Sequence, residues 1–64
     1  MKMVAVYARC QNCSWVSERK VVPDSNDERY MARLRASVSA AIHQLYHLYH
    51  ETEICIEKIE ESED

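Results

Sequence analysis

The spacing of apolar residues divides this chain into four segments. Residues 3–9, Met-Val-Ala-Val-Tyr-Ala-Arg, are a short run of β-favouring side chains and predict a strand. Residues 14–22, Ser-Trp-Val-Ser-Glu-Arg-Lys-Val-Val, predict a second strand, with Cys10-Gln-Asn-Cys13 as the turn of the hairpin. Pro23 and Asp24 end it. Ser25 is a good helix N-cap, Glu28 three residues on completes a capping box, and Asp27 and Glu28 suit the positive end of the helix dipole. From Asn26 no breaker occurs until about His50. Met31, Leu34, Val38, Ile42, Leu45 and Tyr49 recur at steps of three and four and fall on one stripe. The pattern predicts a helix of roughly 24 residues, with Arg29, Arg33, Ser37, Ala40, Gln44 and His47 on or near the opposite face. In residues 52–59, Thr52, Ile54 and Ile56 face one way and Glu53, Cys55 and Glu57 the other, the alternation of a half-buried strand. The expected fold is a single α+β domain in ββαβ order, residues 1–60, with a frayed acidic tail at 61–64.

Chain length adds a constraint. At 64 residues an unaided core is marginal, and a chain of this size commonly needs disulfides, a metal or a partner. Three cysteines, an odd number, argue against a disulfide framework and for metal. Glycine is absent, which excludes glycine-rich phosphate loops and nucleophile elbows. It also denies the hairpin the usual glycine turns, and a metal could hold such a turn instead. No apolar run approaches the ~18 residues of a membrane span, and Met1 to Ala8 lack the flanks of a signal peptide. A cytoplasmic location is expected, with neither membrane nor small-molecule substrate as a partner.

The candidate chemistry is a metal site. Cys10-x-x-Cys13 has the spacing at which two thiolates converge on one tetrahedral ion, and His43, His47 and His50 lie far downstream. Geometry lets the two halves meet. Nine residues of strand carry the chain ~30 Å from the knuckle to Val22. A helix returns that distance in ~20 residues, near Tyr46. The last strand then starts at the metal end and runs antiparallel to the first, giving the strand order second–first–third.

The choice among the histidines stays open. His43 and His50 sit near the edge of the apolar stripe, about 100–120° from its centre, and His47 further round, near 160°. Along an unbroken helix His43 and His50 are ~10 Å apart, so that pair needs the helix to end near Tyr49 and His50 to turn back. His43 and His47, at i, i+4, need no such end but require the helix to roll. The expected ligands of one structural Zn2+ are Cys10, Cys13, His43 and His50, with His47 as the alternative.

Charge is unevenly spread. Residues 1–35 net +3 and residues 36–64 net −6, which together make the −3 of the chain. Arg19, Lys20, Arg29, Arg33 and Arg35 are a candidate nucleic-acid patch. Seven acids in the last 14 residues oppose a duplex lying across the molecule. Cys55 lies among carboxylates, which raise a thiol pKa, and reads as a bystander. Trp15 beside the knuckle reads as a core residue over the metal. No acid or base adjoins the expected ligands except Glu51 and Glu53, so no enzyme is expected.

The arrangement Cys10-Gln-Asn-Cys13-Ser-Trp15, then His43, then His50-Glu-Thr-Glu-Ile-Cys-Ile, resembles small zinc-finger-like proteins of actinobacteria, their phages and haloarchaea. In those proteins a Cys-x-x-Cys is followed shortly by Trp, and a helix carries a His near its end. A second His then leads directly into an alternating strand. The resemblance covers most of the chain. Leu48-Tyr49 stands where the family usually has a Thr-Gly type of break. What it implies is the metal site more than the role. The acidic C-terminal half, the tyrosines and the long helix point to a protein-interaction or regulatory factor of a phage-like kind, with a protein partner. A zinc-finger-type nucleic-acid binder is the alternative.

Overall fold

The computed structural model describes residues 2–59; the tail expected at 61–64 lies outside them. The elements are β1 (Met3–Cys10), β2 (Lys20–Pro23), α1 (Asn26–Tyr46) and β3 (Thr52–Ile59). The strands form one antiparallel sheet in the order β2-β1-β3, and α1 packs on one face of it. This is the ββαβ fold that the apolar pattern predicts, with the strand order that the out-and-back path requires.

The sheet is lopsided. β1 pairs with β3 along its full length, from Met3↔Ile59 to Cys10↔Thr52. It pairs with β2 only from Met3↔Pro23 to Val6↔Lys20, plus a bridge between Arg9 and Val16. The second strand, expected over 14–22, is therefore largely irregular. The register explains why. Two residues separate Val6 from Arg9, whereas three separate Val16 from Lys20, so one extra residue interrupts the ladder as a bulge. Ser17 repairs the gap. Its hydroxyl accepts the Ala8 N–H at 2.8 Å, and its own N–H donates to Ala8 O at 2.8 Å.

Helix α1 starts as the sequence predicts. The Ser25 hydroxyl accepts the Glu28 N–H at 3.4 Å. The reciprocal half of the capping box is replaced, because the Ser25 N–H donates to Pro23 O at 2.8 Å. The helix ends at Tyr46, about one turn earlier than predicted. His47 caps it with an N–H to His43 O at 3.0 Å, and His50 closes the next turn onto His47 O at 2.9 Å.

The larger departure is the face that α1 buries. Its buried residues are Ala32, Ala36, Ala40 and His43. They pack on Val4, Val6, Ala8 and Val22, with Trp15, Ile54 and Ile56 at the margin. The stripe of large apolar residues points away from the sheet: Val38 is 60% exposed, Ile42 52% and Leu45 74%. Ala40, expected on the polar side, is 5% exposed and lies in the core. The reason is steric and chemical together. Alanine methyls let the helix axis come close to a sheet whose valines and isoleucines supply the bulk. His43 shares the alanine face, and it can reach the cysteines only when that face is turned inward. Turning the large stripe inward would swing His43 more than ~100° away from the sheet.

Candidate metal centre

Every ligand candidate comes from a different local device. Cys10 is the last residue of β1 and buried, and Cys13 follows on the exposed turn. The turn closes with no residue at positive φ, as a chain without glycine requires. It is tied by Cys10 N–H to Trp15 O at 3.0 Å and by the Asn12 N–H to Cys10 Sγ at 3.4 Å. His43 arrives from the last turn of α1, 8% exposed. His50 arrives from the turn after the helix.

Two hydrogen bonds, one between backbones and one to a side chain, hold that second turn against the knuckle. Gln11 N–H donates to Glu51 O at 2.8 Å, and Glu51 N–H donates to Asn12 Oδ1 at 2.8 Å. The Gln44 side-chain amide reaches His50 O at 3.4 Å. Asn12, Gln44 and Glu51 thus position the site, although nothing in their spacing marks them. Only the folded chain brings these distant residues together.

The four atoms converge. One ligand atom each from Cys10, Cys13, His43 and His50 lie within 4.8 Å of one another. Cys10 Sγ is 3.3 Å from His50 Nδ1, and Cys13 Sγ is 3.5 Å from His43 Nε2. A tetrahedral zinc with bonds of ~2.3 Å to sulfur and ~2.0 Å to nitrogen has sulfur–nitrogen edges of roughly 3.5 Å. The two observed separations match that edge. Two thiolates and two imidazoles are also the donor set that suits such an ion. The four residues are therefore close enough to coordinate one metal ion.

The early helix end decides between the histidines. It frees residues 47–49 to turn, so His50 swings back beside Cys10 and the ~10 Å helical separation no longer applies. His47 belongs to no ligand cluster among the described residues. Its ring stacks on that of His50, with centroids 4.8 Å apart and planes at 15°. Trp15 lies against His43 in the same way, at 4.4 Å and 14°, so it roofs the buried imidazole as the core reading expects.

Titration behaviour favours the forms that bind metal. Burial holds His43 below the ordinary value of 6.5, and the nearby His47 and His50 push the same way. Burial pushes the Cys10 thiol up, but the Asn12 N–H and the Cys13 side chain and N–H outweigh it, holding Cys10 below the usual 9.0. Metal ligands must be a neutral imidazole and a thiolate. Both shifts move the residues in that direction.

The remaining candidates stand elsewhere. Cys55 is opposite Tyr7 on the sheet face away from α1, and its thiol donates to Glu53 Oε1 at 3.8 Å. The five basic residues fall on three sides of the domain. Arg19 is on the outer sheet face, paired with Glu57 and 5.8 Å above the Tyr7 ring. Lys20 and Arg35 border a groove between β2 and α1, together with Glu18. Arg29 and Arg33 border another groove beside Ile56 of β3, and Arg29 pairs with Asp24 at 3.5 Å.

In comparisons with known protein families, curated proteins and solved structures, no match to this chain is found. No described helix is long and apolar enough to cross a membrane.

Proposed function

We propose that this chain is a structural-zinc module whose role is to bind another macromolecule, in the manner of a regulatory or protein-interaction factor of the cell interior. The observation that carries the zinc reading is the convergence of Cys10, Cys13, His43 and His50 within 4.8 Å. Four protein donors complete a tetrahedron and leave no position for substrate or water, which is the signature of a structural rather than a catalytic zinc. The metal then supplies folding free energy that the thin core lacks. Among the described residues, the largest side chains with less than 2% exposure are Val4 and Val6.

A protein partner is supported over a nucleic acid by the surface. The basic residues are dispersed and two of them are already paired with acids, whereas a long apolar stripe faces outward. The test is metal content and binding together. The purified chain should carry one zinc; Cys10→Ser should carry none, and Cys55→Ser should be unchanged. Metal-free protein with undiminished cooperative unfolding would overturn the zinc reading. Duplex DNA should bind weakly or not at all. Submicromolar binding at physiological salt, lost in Arg29→Ala/Arg33→Ala and falling with a log–log salt slope of about −3 to −4.5, would replace the protein-partner reading with a nucleic-acid one.

A further inference from the structure

The outward stripe of α1 is the largest feature that the metal centre leaves unexplained. Met31, Leu34, Val38, Ala41 and Leu45 follow one another at steps of three, four, three and four, the spacing of a two-helix seam. Ile42 and Tyr30 widen it on either flank. None of the large members is buried: Met31 is 54% exposed, Leu34 43% and Tyr30 61%. Single exposed apolar residues need no explanation, but a contiguous stripe of this extent marks a contact surface.

We propose that the stripe is covered by the same stripe of a second copy of this chain, the two helices crossing antiparallel about a two-fold axis near Val38. The proposal deepens the protein-partner reading by naming the partner, and it does not depend on the metal. Three observations select this occupant.

The first is the pattern itself. A seam of alternating three- and four-residue steps is complementary to another such seam. Around its midpoint the residues are small, Ser37, Val38 and Ala41, so two helices can approach closely there.

The second is charge. The seam carries no charged residue. The charged residues of α1 all lie in its first half, at Asp27, Glu28, Arg29, Arg33 and Arg35, with Arg35 beside Met31 of the seam, and none occurs between Ala36 and Tyr46. An antiparallel pair sets each charged half against the uncharged half of its partner. A parallel pair would set Arg35 beside its own copy.

The third is area. The five large residues Met31, Leu34, Val38, Ile42 and Leu45 expose on the order of 500 Å² per chain, so a symmetric pair that covered them fully would bury about 1,000 Å², the lower bound of a specific interface and that of a weak, concentration-dependent dimer. The helices are already ordered on their sheets, so pairing does not carry the cost of helix formation that limits short isolated coils. Pairing joins two thin cores into one sheet–helix–helix–sheet stack.

Analytical ultracentrifugation across a concentration range, on the full chain with its metal, tests this. The expected result is a concentration-dependent shift from the 7.5 kDa chain to a species of twice that mass. Val38→Glu should weaken association at least ~100-fold, because the two-fold axis sets the two carboxylates against each other. Its circular dichroism and zinc content should not change, since Val38 touches neither core nor site. Lys58→Glu, on β3, should associate as the wild type does.

In a Cys55→Ser background, Met31→Cys and Leu45→Cys chains should cross-link to one another, and neither should cross-link to itself. A monomer at hundreds of micromolar would overturn the proposal while leaving a zinc-loaded module intact. A dimer indifferent to Val38→Glu, or one in which Leu45→Cys joins to itself, would overturn it as well. A metal-free dimer would instead overturn the zinc reading and leave this one standing.

Discussion

On the sheet side of α1, Ala32, Ala36 and Ala40 are 3–5% exposed and His43 8%. On the far side, Met31, Leu34, Val38, Ile42 and Leu45 are 43–74% exposed. Ordinary amphipathic logic assigns these faces the other way round, because burying the larger side chains removes more apolar area from water. The inner face is governed by a different requirement. It has to bring one imidazole within 3.5 Å of a cysteine sulfur, and that demands a close, small-residue contact between helix and sheet. The outer face is what remains. The comparison teaches that a helix can turn its small-residue face to a sheet, against its own hydrophobic stripe, where that face also carries a side chain that must meet a distant one, here His43 at Cys13.

The sharpest way to break the comparison is to remove the ligand that fixes the inner face. Structural zinc contributes on the order of 10 kcal/mol or more in small finger-like peptides. His43→Ala and Cys10→Ser should therefore lose metal and cooperative folding together, read by zinc content and thermal unfolding. His50→Ala should do nearly the same. His47→Ala should keep the metal and weaken its affinity by about tenfold, through loss of the ring stacked on His50. If His47→Ala loses the metal and His50→Ala keeps it, the assignment of the fourth ligand is wrong.

Next in size is the packing of the inner face. Ala36→Leu should cost about 1–3 kcal/mol, because a larger side chain pushes α1 off Val4 and Val6. The same push moves His43 from Cys13, so zinc affinity should fall in parallel with the denaturation midpoint. An Ala36→Leu chain with unchanged midpoint and affinity would show that the close approach is not required.

Acidification probes the same face without mutation. The pKa of His43 is held below 6.5, so the folded chain binds fewer protons there than the unfolded chain. That contribution to stability is complete above pH 6.5 and is lost as pH falls through and below it. Cys10 acts in the same sense but from a higher pH, its contribution being complete above pH 9.0 and declining as pH falls below it. Thermal midpoint and zinc occupancy should therefore fall together between about pH 7 and about pH 5. A midpoint that holds or rises over this range would contradict the direction at His43.

The smallest effect belongs to the outer face. In dilute protein, Leu34→Ala should change the stability of the single chain by no more than about 0.5 kcal/mol, since few core contacts are lost. A loss of the 2–5 kcal/mol typical of a buried leucine would mean that the stripe is packed after all.

The sequence by itself determined a good deal. The alternation in residues 52–59 and the apolar run at 3–9 define strands that the fold retains with near-identical bounds. Ser25 and Pro23 set the start of α1 through local chemistry that needs no distant partner. Cys-x-x-Cys and three histidines, with the distances that strand and helix cover per residue, were enough to bring the ligands to one end and to order the strands. Each of these follows from short-range preferences or from chain length.

Tertiary structure decided the rest. The helix ends at Tyr46 because the His50 turn is tied to the knuckle by Gln11, Asn12 and Glu51, a contact across about 40 residues that no local pattern encodes. The second strand breaks because its register must slip by one residue between Lys20 and Val16 to reach the knuckle. The face α1 presents to the sheet was equally beyond reach. Two stripes compete for it, one small with a histidine and one large and apolar. The choice depends on the depth of the sheet surface and the position of the cysteines, which exist only once the chain has folded.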